Sequence, residues 1–352
     1  VRGFLTTAAR LFPQRQDFLF GATLGSRGQA PAATSYAFPY TGHYVMRSSW
    51  DAKGVYALLD TGPYGLGHQH EDKLHLVLYA YGRQLLLDPG NYSYDRSPWR
   101  RYVLASAGHN TVLVDGEGQN RGRQRQTYVL PKPWDTPTPR GDDALWLTSA
   151  EADVARGSYR DRYGAKGDLD VVHTRHVVFV KPDYFVVTDA LAPADTGEHE
   201  YTALFHLDAE AAEADAGTLA VRTQWPDQAN LTVVPWRREG LAGAVVKGQE
   251  DPVQGWANGP WRPVPTAAFT WKAKGLTQAA WVLWPTPAGQ TCPVKALTGE
   301  AAADGLRLDL ALTDGRTDRL TVPAAPGAAP GQGLRLERLA ADGAVTTRWP
   351  PP

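Results

Sequence analysis

Hydrophobic positions follow a helical period only at the start of the chain. In VRGFLTTAARLFPQ, residues Phe4, Leu5, Ala8, Ala9, Leu11 and Phe12 recur about every 3.6 residues before Pro13 ends the run. Residues 21–41 are rich in Gly, Ala, Ser and Pro and predict a linker. From Gly42 onward the pattern changes to short β-branched and aromatic runs between turn signals, which predicts strands. VVHTRHVVFVKPDYFVVTDAL carries two such runs around Lys181-Pro182-Asp183, the composition of a hairpin. YTALFHL, TLAVRT, ANLTVVPW, AAFTWKA, AAWVLW, LRLDLALTDGRTDRLTV and LRLERLAADGAVTTRW continue in the same style. Turn signals about ten residues apart predict an all-β fold of antiparallel sheets stacked as a sandwich. Residues 131–145, with four prolines and an Asp pair, predict an excursion from the sheet, and a change near residues 240–260 divides two layers or two domains. The expected portions are 1–35, a helical tail and linker, 36–250, a β-sandwich, and 251–352, a C-terminal β-sheet portion.

Composition narrows the chemistry. With 352 residues, 43% of them hydrophobic, the chain can bury a large core without covalent staples. Thirty-six basic against 37 acidic residues give a net charge of −1, so no global field draws nucleic acid or an anionic membrane. A single cysteine, Cys292, excludes an intrachain disulfide and a thiolate cluster, so metal ligands must be His, Asp or Glu. No stretch approaches the roughly 18–20 apolar residues that cross a bilayer, and the N-terminus lacks a signal-peptide pattern. The chain begins at Val1 and holds one methionine, Met46, as expected of a piece cut from a longer protein.

Three of the nine histidines, His68, His70 and His75, fall within GLGHQHEDKLHL at residues 65–76. On an extended strand His68 and His70 would share a face about 6.6 Å apart, and the glycines at 62, 65 and 67 allow a tight turn before them. Surface loops also carry such pairs. Asp88, in LLLDPG, is either a turn-former or a carboxylate delivered to a site. His109 and Asn110 stand before the alternating run TVLV, where a histidine also serves simply to close a strand. Two imidazoles and a carboxylate make a zinc set with one position left for water or a substrate oxygen. Spacing alone does not build it. With a two-residue loop at Gly82-Arg83, Asp88 would pair opposite Val77, away from His70, unless the chain before Leu74 bends back or Asp88 joins another strand pair.

TGHYVMRSSWD, GPYGLGHQHEDKLHLVLYAYGRQLLLDPGNYSY and RRYVLASAGHNTVLVDGEGQ, in this order over residues 40–120, resemble the C-terminal β domain of the heparinase II/III-like polysaccharide lyases, which include oligoalginate lyases. The resemblance implies a supersandwich of antiparallel strands, with residues 1–20 the tail of an absent N-terminal α/α toroid. It implies that His70, Asp88 and His109 bind Zn2+, and that His68 lies in the substrate cleft, where it neutralises or polarises a uronate. Tyr92 matches a cleft tyrosine, and Arg96, Arg100 or Arg101 would pair with uronate or sulfate, although each also suits a solvated ion pair. The implied chemistry is β-elimination. The proton at C5 leaves only if the neighbouring carboxylate is neutralised and the resulting anion stabilised. The principal base and acid belong to the toroid, so this chain alone is expected to be an incomplete lyase. The implied partners are an acidic polysaccharide or oligosaccharide, the toroid of the parent protein and, as an open case, a second copy. Family habit places the parent in the periplasm or outside the cell.

A metal-stiffened β-sandwich that binds acidic sugars without turning them over is the alternative. A cupin-type metalloenzyme is disfavoured, because it would place a glutamate where this chain has Leu74 and His75. His173 and His176 are expected on opposite faces of a strand in structural roles, His199 and His206 without an acidic partner, and His75 as a core or interface residue. The role of His43 stays open.

Overall fold

The computed structural model describes residues 1–62, 64, 68–120, 144–302, 305–323 and 333–350. Gly65, Gly67 and residues 131–143 of the expected excursion lie outside the described residues. Two helices open the chain, α1 (Arg2–Leu11) and α2 (Gln16–Ala22), separated at Pro13. Five strands follow as a meander: β1 (Tyr36–Phe38), β2 (His43–Arg47), β3 (Tyr56–Asp60), β4 (Leu76–Ala80) and β5 (Arg83–Leu86). A third helix, α3 (Pro98–Leu104), precedes β6 (Val112–Val114).

The next strands are β7 (Leu145–Thr148), β8 (Ala152–Tyr159), β9 (Val171–Val180), β10 (Tyr184–Pro193), β11 (Glu198–His206), β12 (Ala212–Ala214), β13 (Val221–Thr223), β14 (Asn230–Pro235) and β15 (Leu241–Val246). Four short strands, β16 (Gln249–Glu250), β17 (Val253–Gln254), β18 (Trp256–Ala257) and β19 (Arg262–Pro263), form two small ribbons. Then come β20 (Thr266–Lys274), β21 (Thr277–Thr286), β22 (Val294–Ala302), β23 (Gly305–Leu312), β24 (Thr317–Pro323), β25 (Arg335–Leu339) and β26 (Val345–Trp349).

The architecture is three layers. In the middle is an eight-stranded antiparallel sheet in the order β12-β13-β14-β21-β10-β9-β8-β7. One face, with Val177, Phe179, Phe185, Val187 and Trp281, packs against Met46, Leu59, Leu76, Phe205 and Phe269 of the β1–β5 meander and the four-stranded sheet β15-β20-β11-β6. The other face, with Val178, Val180, Val186 and Val282, packs against Leu308, Leu310, Leu320 and Leu336 of the C-terminal sheet β22–β26. A strand covered on both sides needs apolar residues at successive positions, which is why β9 and β10 read VVFV and YFVV without alternation. Residues 266–286, assigned by sequence to a portion beginning at 251, are integral to the first layers: β20 pairs with β11 and β21 with β10. The separate C-terminal sheet begins only at β22.

Two further sequence expectations change. The stretch 21–41 holds the end of α2 and strand β1. The region after Gly42 contains α3, whose start is marked by Ser97, its Oγ accepting the Arg100 N–H at 3.2 Å, with Pro98 in the first turn. Seven residues are too few to show a period.

Candidate metal centre

His70, Asp88 and His109 come together although none sits in a regular strand. The turn between β4 and β5 is Tyr81-Gly82, both with positive φ (53° and 89°), and not Gly82-Arg83. Beyond β5 the chain leaves β4 and joins β11: Leu86 bridges Leu207, and the Leu87 N–H donates to the His206 carbonyl at 3.0 Å. On the other side Leu74, at φ 70°, bends the histidine loop back before β4 begins. Both conditions for closing the triad are therefore met.

The histidine loop is pinned along its length. Glu71 N–H donates to Leu104 O (2.8 Å), Ser106 Oγ donates to Glu71 O (2.6 Å), and the Gln119 amide exchanges hydrogen bonds with Lys73 N (3.0 Å) and Lys73 O (2.7 Å). The Asp88-Pro89-Gly90 turn is closed by the Asp88 carboxylate, which accepts the Gly90 N–H at 2.8 Å. It docks through Asn258 N–H to Pro89 O at 2.9 Å. Gly90 has φ 77°, and a Cβ there would meet the Asn258 Cβ at 2.8 Å, so this position requires glycine.

One potential ligand atom from each of the three residues lies within 4.8 Å of the others. His109 is fully buried. Its Nε2–H donates to the Val103 carbonyl at 3.2 Å, which leaves the Nδ1 lone pair 3.2 Å from Asp88 Oδ2. That Nδ1 has no aligned hydrogen-bond partner among the described residues. Two lone pairs facing each other in a buried site call for a cation between them. Burial works against a charged His109, but the Asp88 carboxylate outweighs it and raises the pKa. Burial likewise opposes an ionised Asp88, and the close approach and charge of His109, with His75 and the Gly90 N–H, more than offset it, holding the carboxyl well below its usual range. His70 is pushed down, first by burial and then by His109, which favours a neutral imidazole. A neutral His70, an ionised Asp88 and a His109 whose Nδ1 would exchange its proton for a metal, its ring oriented by a backbone carbonyl, fit a divalent metal such as zinc.

His68 is exposed, at φ 57°. It does not share a strand face with His70, because residues 68–73 form a loop. Its Nδ1 is 3.1 Å from the hydroxyl of Tyr94, which accepts from Asn91 Nδ2 at 3.2 Å. Tyr94, 73% exposed, is a tyrosine the sequence reading passed over. Tyr92, which it favoured, sits at φ 49° with its ring 4.6 Å from that of Trp261, beside Trp99 and Trp256. Among the three arginines, Arg100 is the one held at this cluster: it donates to both Asn91 oxygens and lies 4.9 Å from the Tyr94 ring centroid. Arg101 instead donates to the Arg96 carbonyl at 2.6 Å.

Residues 30–258 match the model of the heparinase II/III-like C-terminal family. The chain belongs to this family. Two heparin-sulfate lyases, from Bacteroides stercoris and Pedobacter heparinus, are each 26% identical to it over 54% of the chain and 26% of their own length. The crystal structure of the heparan sulfate lyase HepC from Pedobacter heparinus superposes with a TM-score of 0.73 at 20% identity, over 93% of this chain and 48% of that one. A crystal structure of heparinase III gives 0.68 at 15%, over 91% and 48%. The family member described here thus spans about half the length of those solved lyases, whose fold it shares.

The remaining histidines divide by partner. His173 and His176 occupy opposite faces of β9 and are buried. His199, expected to lack an acidic partner, lies between Asp115 (2.7 Å) and Asp195 (3.1 Å). Asp115 is 84 residues away in sequence, beyond the reach of local spacing. His206 forms no ion pair with an acid among the described residues and contacts Asn110 and Gln254. His43 pairs with Asp60 at 3.7 Å.

Proposed function

We propose that this chain is the sandwich portion of a zinc-containing polysaccharide lyase that cleaves uronic-acid-containing chains by β-elimination, in a parent protein acting in the periplasm or outside the cell. The supporting observation is the placement of a candidate metal triad, His70, Asp88 and His109, beside exposed His68 and Tyr94 and the half-buried Arg100 of α3.

The Tyr94 hydroxyl, accepting from Asn91, has its own proton free to donate to His68 Nδ1. With Nδ1 accepting, His68 presents an Nε2–H as a hydrogen-bond donor. A donor is what a uronate carboxylate needs while the proton beside it departs, since it disperses the charge that develops. Arg100, fixed by Asn91, adds positive charge on the same side. Zinc, when bound, supplies a fixed positive charge that locks the histidine loop to the Asp88 turn. The principal base and acid are assigned to a helical toroid of the parent, and the relatives named as heparin-sulfate lyases favour a glycosaminoglycan over alginate as substrate.

A second reading, a carbohydrate-binding module without turnover, draws on the ring cluster of Tyr92, Trp99, Trp256 and Trp261 beside the Asp88 turn. The test is to assay the toroid-extended parent on heparan sulfate, chondroitin sulfate and alginate, following the ultraviolet absorbance of unsaturated uronate products. The expected outcome is turnover of one class, reduced about 100-fold or more in kcat by His68→Ala. Binding of the polymer without unsaturated product would favour the module instead.

A further inference from the structure

His75 borders the triad without an evident place in it. It is buried, with its ring centroid 5.1 Å from that of His109. Its Nδ1 accepts the backbone N–H of Asn110 at 2.9 Å. Its Nε2 lies 3.6 Å from Asp88 Oδ2 and has no hydrogen-bond partner among the described residues. A ring nitrogen that accepts from an N–H holds no proton of its own, so the neutral imidazole carries its proton on Nε2. A metal ligand needs a lone pair at the ligating nitrogen, and in this tautomer Nε2 has none to give.

We propose that His75 is a positioning residue whose Nε2–H orients the Asp88 carboxylate toward the metal, and that it is not a fourth ligand. The inference rests on the triad holding a metal. About half an ångström of carboxylate movement on metal binding turns the 3.6 Å approach into a hydrogen bond. The coordination set then stays at three protein ligands with one position open.

Asn110, which fixes the tautomer, is itself held on every side. Its Nδ2 donates to Leu76 O (2.7 Å) and Leu87 O (3.1 Å), and its Oδ1 accepts the His206 N–H at 2.6 Å. The carbonyls of Asn110 and Leu74 both accept from the Arg175 guanidinium of the central sheet. Leu74 precedes His75, Leu87 precedes Asp88, and Asn110 follows His109. One buried amide therefore ties the segments that carry two of the ligands and the donor that aims one of them. A histidine serving only to fill space would need none of these connections.

The test is NMR of the chain with 15N-labelled histidine rings, with and without zinc. In the metal-free protein the expected proton on His75 is at Nε2. On adding zinc, one nitrogen each of His70 and His109 should move to the metal-bound range while both His75 nitrogens stay outside it. A metal-bound shift at His75 Nε2 would overturn the proposal and leave the metal centre standing. Zinc that moves no histidine would remove the metal centre and the proposal together. Chelator competition gives a second readout: His75→Phe should weaken zinc about 10- to 100-fold, and His75→Gln, which restores an N–H donor, should recover part of that loss. Unchanged affinity in a folded His75→Phe protein would also overturn it.

Discussion

Two of the histidine–carboxylate clusters among the described residues, one in the core and one at the loops, are finished to different degrees. In the core, Asp189 Oδ1 accepts from His173 Nε2 (2.6 Å) and Arg175 Nε (2.7 Å), and Oδ2 accepts from the second Arg175 nitrogen (2.9 Å). His173 Nδ1 meets the Tyr163 hydroxyl at 3.2 Å, and Arg175 also reaches the Leu74 carbonyl. All three charged or ionisable groups are fully buried, and the carboxylate is paired on both oxygens. At the loops, Asp88 is 38% exposed, His109 Nδ1 and His75 Nε2 have no aligned hydrogen-bond partner among the described residues, and potential ligand atoms of three residues lie within 4.8 Å of one another. A cluster that pairs its groups internally is a structural joint. One that leaves lone pairs converging without an aligned partner is a candidate binding site.

The largest effect that sharpens this contrast is expected at the core joint. Asp189→Asn removes the charge that compensates a fully buried Arg175, and should cost about 3–5 kcal/mol in denaturant unfolding. His70→Ala should change the stability of the metal-free protein far less. Comparable losses in both variants would erase the distinction. The same joint sets an acid limit. Burial raises the Asp189 pKa, but Arg175 and His173 prevail and lower it to about 2. A carboxyl held below its unfolded value stabilises the fold above the unfolded pKa of about 3.9. That contribution is lost as pH falls through about 2, and a pH series on Asp189→Asn should lack that component.

The next effect belongs to the loops. Zinc at about 100 times its Kd should stabilise the chain by about 2.7 kcal/mol, reversibly with chelator, whereas Asp189→Asn should retain the gain if it folds. A gain that persists in His109→Ala would place the metal elsewhere. The smallest expected effect is at the Asp88 turn. Gly90→Ala forces a side chain into left-handed backbone at φ 77° and against Asn258, and should cost about 1–2 kcal/mol. Zinc binding should weaken with it, because the Asp88 carboxylate is aimed by that turn. Thermal unfolding with and without zinc reads both.

Legibility in the sequence followed the range of the interactions. The β9–β10 hairpin was visible because two apolar runs flank a three-residue turn, and that pairing is local. The candidate ligand set was implied by the family resemblance of the motifs, but spacing could not assemble it. Closure depends on positive φ at Leu74 and on the chain after β5 joining β11, whose residues lie more than a hundred positions away. Tyr92 and Tyr94 could not be told apart by pattern, since the Asp88 turn decides which one reaches His68 and which packs on Trp261. His75 read as a core residue. It is buried as expected, yet the groups that give it chemistry, Asn110 and Asp88, come from two other segments.

The most direct test of the central claim, that the loop cluster is a metal site and the core cluster is not, is elemental analysis of the purified, folded chain. Wild type should be measured beside His70→Ala, Asp88→Ala, His109→Ala and His173→Gln. The account predicts one zinc per chain in wild type and His173→Gln, and loss of zinc in each of the other three. A folded wild-type chain that takes up no metal, or loop variants that keep it, would contradict it.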